Sequence, residues 1–238
     1  WKHLEPDNRG TIYMGSYSLC GAASRAGITA QALHPPRSER PILVSSWVDA
    51  KRCLNIGRKV ILMEHGAGQS YAGTSHPSYS GAPEHENLTL RLVPNEFSAE
   101  RHRAAHPKVP VKVIGCPKMD DLILIPQPSE GTVALGCHWG KEGDTHAPEQ
   151  VGAWFAWHEH FAAIPEAFPG ALGHAHPKLW NNTHKALGSL GFEPVRWFSD
   201  VARRAEVYVC DNSSTMFEFA ALDRPVVVLN PPHYRKDI

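Results

Sequence analysis

Residues 205–230, AEVYVCDNSSTMFEFAALDRPVVVLN, decide the fold. Residues 206–210 are a short apolar run that reads as a strand, and Asp211-Asn212-Ser213-Ser214-Thr215 turns the chain. A helix follows over 216–222, with Met216, Phe217, Phe219, Ala220 and Leu222 on a broad apolar face. After Pro225, residues 226–229 form a second strand of the fully buried type. Strand, polar turn, helix and strand in that order predict a βαβ unit with parallel strands. The turn sets small polar side chains at the start of a helix, where unpaired N–H groups and the helix dipole favour an anion. One hydroxyl would serve as an N-cap. Three in succession after Asn212 (Ser213, Ser214 and Thr215) read as a seat for phosphate. Glu218 lies four residues beyond Ser214, on the same helical face. A carboxylate flanked by Phe217 and Phe219 is solvated, paired or engaged with a ligand, and the ribose of a nucleotide held at the turn would lie beside it.

A chain of 238 residues suits one large domain or two small ones. The formal charge is zero, which argues against a general nucleic-acid surface, although Arg101 and Arg103 make a local basic cluster. No apolar run is long enough to span a membrane, and no signal peptide is visible. The five cysteines have no paired spacing and read as reduced thiols. A cytoplasmic protein is the expectation. The start at Trp1 and the stop soon after a strand are expected of a piece trimmed from something longer.

Working back toward the N-terminus, the alternation repeats. Strands are predicted over 11–17, 42–46, 59–64, 87–93 and 111–114, with helices over 18–26, 47–55 and 96–105, the last capped by Asn95. A long surface loop is predicted over 69–83 and a tight turn over 115–120. Residues 126–131, PQPSEG, read as a linker. Beyond it come a strand at 132–137, a mostly helical 148–168, a short strand at 171–173, a helix at 179–190, a brief extension at 192–195 and a helix at 198–204. Two successive arrays of this kind predict an α/β protein of two Rossmann-like domains, 1–125 and 126–238, facing a central cleft.

The polar motifs fall at strand ends, where open parallel sheets place ligands. In Glu64-His65-Gly66-Ala67-Gly68-Gln69 the glycines admit a ligand to the backbone, and His65 is placed to act as a general base, a role typically worth about 10²–10⁴ in rate. Gly66, Gly68 and Gln69, with Lys118 and Asp120, are the acceptor-side candidates. In His174-Ala175-His176-Pro177-Lys178, His176 and Lys178 are candidates for contact with phosphate. A metal site is not expected, since no Asp, Glu or Cys stands at ligand spacing beside the two histidines. His102 and His106 share a helix face and read as solvated. The tryptophans read as packing residues.

In this order, His65-Gly66, Gly115-x-Pro117-Lys118-x-Asp120, His176-Pro177 and Asp211-x-Ser213-Ser214-x-x-Phe217-Glu218 with Arg224-Pro225 resemble the CDP-glycerol glycerophosphotransferases, GT-B-type enzymes of teichoic acid synthesis. The resemblance covers roughly residues 59–230. It implies two Rossmann-like domains, a nucleotide-activated donor held mainly by the second, and metal-independent transfer to a hydroxyl acceptor with no bound cofactor. His65 would then be the base, His176 would contact the donor pyrophosphate, and Ser213 and Ser214 would bind phosphate. An aspartate is usual in that family where Glu218 stands. Glutamate there is similar to nucleotide-sugar GT-B transferases, in which it binds the ribose. The expectation is therefore a glycosyltransferase using a nucleotide-sugar. The alternatives are a glycerophosphotransferase with CDP-glycerol and a polymer acceptor, a phage-type glycosyltransferase on hydroxymethylated DNA bases, a UDP-sugar 2-epimerase-like enzyme, and a nucleotide- or glycan-binding protein without catalysis.

Overall fold

A computed structural model describes residues 12–14, 30–32, 41–64, 66–67, 83–138, 152–176, 180–211 and 213–230. Its strands are β1 (Ile12–Met14), β2 (Ala30–Ala32), β3 (Ile42–Val44), β4 (Val60–Met63), β5 (Leu90–Val93), β6 (Val111–Val113), β7 (Thr132–Cys137), β8 (Leu172–Ala175), β9 (Glu193–Val195), β10 (Ala205–Cys210) and β11 (Val226–Val228). The helices are α1 (Trp47–Asn55), α2 (Glu96–Ala105), α3 (Pro117–Leu122), α4 (Ala153–Trp157), α5 (Ala163–Ala167), α6 (Trp180–Ser189), α7 (Phe198–Arg204) and α8 (Thr215–Ala220). Two larger sheets have strand orders β3-β4-β5-β6 and β11-β10-β7-β8-β9, and β1 pairs with β2 apart from them. Every pairing is parallel. The protein is α/β, as the alternation predicts.

The second sheet is covered on both faces, which is why β7 is buried along its four central residues. One face packs Leu172, Phe198, Val201, Tyr208 and Phe219 together, and the other packs Leu135, Ala171, Leu187 and Phe192. Leu122 of α3 joins the first of these cores, with Ile125 against it, so the chain is seated on the second sheet before residues 126–131. The buried Arg224 guanidinium fixes that crossing by donating to the carbonyls of Pro126 (2.8 Å), Ala202 (2.6 Å) and Ala205 (2.9 Å). The first sheet packs Val60 and Leu62 against Ala50 and Cys53 of α1.

Helices α1, α2 and α7 occupy the residues expected of them, and the side chain of Asn95 caps α2 by accepting from Ser98 N at 2.9 Å. Elsewhere the structure differs from the sequence reading. Residues 117–122 are helical rather than a tight turn, because Pro117 sits in the first turn, where its missing N–H leaves nothing unsatisfied. The described part of 148–168 is not one helix. It breaks into α4, a 3-10 turn at His158–His160 and α5, with i→i+3 bonds from Phe161 to His158 and from Ile164 to Phe161. Pro165 has no N–H to continue a regular ladder through this region. A 3-10 helix at Pro83–Asn87 closes the predicted loop, and β2 was not predicted. Trp154, Trp157 and Trp180 pack on the second core as expected, whereas Trp197 is exposed beneath the guanidinium of Arg196, 5.1 Å from the ring centroid. The predicted helix over 18–26 lies outside the described residues. Among the described residues, no helix is long and apolar enough to cross a membrane.

Candidate functional site

Just beyond the end of β4, the chain meets the β10–α8 turn at Gly66. This glycine is buried and has φ +134°, a conformation side-chain-bearing residues rarely adopt. A Cβ on it would lie 3.0 Å from Ser214 Oγ and 4.0 Å from Glu218 Oε1. The backbone at Gly66 and the serine of the turn are thus in contact, with the glutamate next to both.

Glu218 is 1% exposed. Its Oε2 has Lys118 Nζ at 2.6 Å but no partner at a hydrogen-bonding angle, so proximity of charge holds the pair. Lys118, at the start of α3, also lies 5.5 Å from the centroid of the Phe198 ring. The sequence left Glu218 as solvated, paired or engaged, and the structure makes it buried and paired. Asp120 is exposed, and at i+2 from Lys118 it does not share that residue's helix face. It is not brought to the site.

The three hydroxyl residues divide. Ser213 Oγ accepts from Thr215 Oγ1–H at 2.9 Å and from Thr215 N–H at 3.4 Å, and Thr215 Oγ1 lies 3.0 Å from the Tyr208 hydroxyl. Ser213 and Thr215 therefore form a local turn bonded to β10. Ser214 has helical backbone angles and makes no capping bond, which leaves its hydroxyl facing Gly66.

Asp211, at the end of β10, is fully buried and ties three segments together. Its Oδ1 accepts from His138 N–H and its Oδ2 from Ala153 N–H, both at 2.7 Å. Burial raises its pKa to about 6 against the pull of those two bonds. The sequence reading passed over this residue as a turn former. The signal was there, since an aspartate directly after a buried strand needs partners.

His176 follows β8, and its ring centroid is 6.4 Å from that of His138. His174, two residues earlier, is held at a pKa of about 4 by burial and by the charges of His176 and Lys118. His65, Gly68, Gln69, Lys178 and Asn212 lie outside the described residues. Among the described residues, no three His, Cys, Asp or Glu side chains gather as a metal site.

An open cavity of about 390 Å³ adjoins Gly66 and α8. Ala67, Pro94 and Asn95 wall it from the strand ends of the first sheet, Cys116 and Met119 from α3 and the residue before it, and Phe217 and Ala221 from α8 and the residue after it. Behind Glu64, at the end of β4, lies a polar group that sequence reasoning missed. His102 bridges the Glu64 carboxylate and the Arg91 guanidinium, Arg91 also donates to His85 Nδ1 at 3.2 Å, and His85 stacks on His106 at 4.9 Å. Arg91, His85, His102 and His106 are all buried, which corrects the solvated reading of the last two. The pairing of β5 with β4 brings Arg91 under α2, and a guanidinium there needs acceptors. Burial lowers the pKa of His102 despite Glu64, and of His106, consistent with neutral rings around one cation.

No protein-family model and no curated protein sequence matches this chain. Solved structures do. The wall teichoic acid polymerase TagF, as an H444N variant soaked with CDPG, superposes with a TM-score of 0.52 at 14% identity, over 91% of this chain and 67% of that one. The fold is GT-B-like. A UDP-N-acetylglucosamine 2-epimerase from Rickettsia bellii gives 0.48 at 12% identity, over 87% and 58% of the two chains. A glycosyltransferase from Rickettsia africae gives 0.44 at 12%, over 93% and 71%.

Proposed function

We propose that this GT-B-like protein is a glycosyltransferase that moves a sugar from a nucleotide-activated donor to a hydroxyl acceptor. The observation that carries the reading is the meeting of Ser214, buried Glu218 and Lys118 with the backbone at Gly66, at the ends of parallel strands. In this reading Glu218 accepts from the donor ribose, exchanging its contact with Lys118 for two hydroxyl donors. Lys118 is then free to swing toward the diphosphate, on which Ser214 and His176 also act. The acceptor hydroxyl gives its proton to His65, its oxygen bonds to the anomeric carbon, and the carbon–oxygen bond to the nucleoside diphosphate breaks with the electron pair leaving on phosphate. Donors already in place where that charge grows would supply the larger share of the rate. Asp211 contributes by holding the turn against the strand end at His138.

A glycerophosphotransferase reading is kept by the likeness to TagF, whose structure was soaked with CDPG. In that case the attack is on phosphorus and CMP leaves. The test is a thermal-shift panel of UDP, CDP, GDP, ADP and TDP on the wild type and on Ser214→Ala/Glu218→Gln. A ligand bound only by the folded state stabilises it by about 2.7 kcal/mol at a hundredfold excess over Kd. One diphosphate should raise Tm in the wild type and lose its effect in the double variant, and transfer to an acceptor is then assayed with that donor. If none raises Tm, the transferase reading falls.

A further inference from the structure

We propose that the cavity beside Gly66 is an acceptor site for an aromatic or alkyl body that carries the reacting hydroxyl, and that the acceptor is not a polyphosphate chain. The inference rests on the transferase reading and names its substrate class. At about 390 Å³ the cavity lies in the range of small-molecule sites, about 300–1,000 Å³. The side chains of its lining residues carry only carbon and sulfur, apart from that of Asn95. That side chain is already committed, accepting from Ser98 N–H at 2.9 Å and donating to Ala67 O at 3.3 Å. Asn95 therefore braces the wall and leaves little for a polar ligand to bond.

No basic side chain is among the described walls, and Lys118, on α3 between wall residues of the cavity, has Glu218 at 2.6 Å. A polyanionic acceptor would have to leave charges unpaired against this surface, which is costly. Helix α8 sets the direction. Phe217 is half-buried in the cavity wall while Glu218, the next residue, points into the site. A body packed on Phe217 and Met119 would hold its hydroxyl next to the donor. Aromatic and thioether groups suit such a role, being polarizable and adaptable in shape.

Cys116 gives a reporter, since it is a lining residue of the cavity with a free, half-buried thiol. The experiment measures the rate of N-ethylmaleimide addition to Cys116 by peptide mass spectrometry, with Cys116→Ser identifying the peptide. The probes are 4-nitrophenyl glucoside, glucose, glycerol 3-phosphate and the five nucleosides. A several-fold slowing by the aryl glucoside, with no effect of glucose or glycerol 3-phosphate, is the expected result, and Ala221→Trp should abolish it. No protection by the aryl glucoside, or equal protection by glycerol 3-phosphate, overturns the proposal. Protection by a nucleoside also overturns it, by making the cavity the seat of the donor base. The nucleoside diphosphate panel reads separately. Aryl protection without any diphosphate response keeps the apolar site and removes the transferase reading, while the reverse pattern removes the apolar site alone.

Discussion

Gly66 and Ser214 are in van der Waals contact across the ends of two different parallel sheets, close enough that one added methyl on the glycine would press on the serine hydroxyl. The contact joins the segment carrying His65 to the turn before α8.

Gly66→Ala should be destabilising on two counts, the positive φ and the 3.0 Å approach to Ser214 Oγ. Strain of this kind costs about 1–3 kcal/mol. Urea unfolding of Gly66→Ala and of Gly66→Ala/Ser214→Gly separates the two, because the second substitution relieves the contact and not the backbone strain. Equal stabilities would mean that the contact itself contributes nothing.

Lys118 and Glu218 should behave as a coupled pair. Lys118→Met leaves a buried carboxylate beside apolar neighbours, whereas Lys118→Met/Glu218→Gln removes the charge with it. The double-mutant cycle is expected to give a coupling energy of about 0.5–3 kcal/mol. A value indistinguishable from zero would mean that the exposed ammonium does not hold the carboxylate.

Asp211→Asn keeps one acceptor but turns an amide N–H toward one of two backbone donors, at His138 or Ala153. The loss should be about 1–3 kcal/mol, the usual consequence of a buried polar group left unsatisfied. The carboxyl pKa lies near 6, above its ordinary value. Its contribution is therefore fully present below the unfolded-state value and declines as pH rises through 6. In Asp211→Asn that part of the pH dependence should vanish, as equilibrium unfolding between pH 4 and 7 would read out.

The Glu64–His102–Arg91 chain gives the opposite sign. A histidine with a lowered folded pKa contributes stability above its ordinary 6.5, and that stability is lost as pH falls below it. His174, at about 4, acts in the same direction. Acidification from pH 7 to 5 should lower the unfolding midpoint, and less so in His102→Gln. Arg91→Met, which leaves the buried rings of His85 and His102 without the guanidinium, should cost about 1–3 kcal/mol by the same measurement. The same pH response in the wild type and in His102→Gln would exclude a neutral His102 in this network, since the opposite contribution of Asp211 is common to both.

The chain order of strands and helices was legible because it rests on local periodicity and punctuation. Residues 47–55 follow a predicted strand as a helix, 96–105 follow the cap Asn95, and the run 132–137 reads as a strand. For Glu218, its place between Phe217 and Phe219 left three readings, solvated, paired or engaged, and burial against Lys118 chose among them. The break in 148–168 was not foreseen, though Pro165 marks it.

What the sequence determined by itself was the α/β alternation, the βαβ unit at 205–230 and the polar residues that end its strands, since each follows from neighbours within a few positions. Only the tertiary structure decided that Glu218 meets Lys118, that Ser213 and Thr215 bond to one another while Ser214 faces Gly66, and that His102 and His106 lie buried around Arg91. Those pairings join residues between 2 and 148 positions apart in the chain. Burial chose among them, because a charge or hydroxyl taken out of water must take whatever partner the packed strands and helices bring within reach.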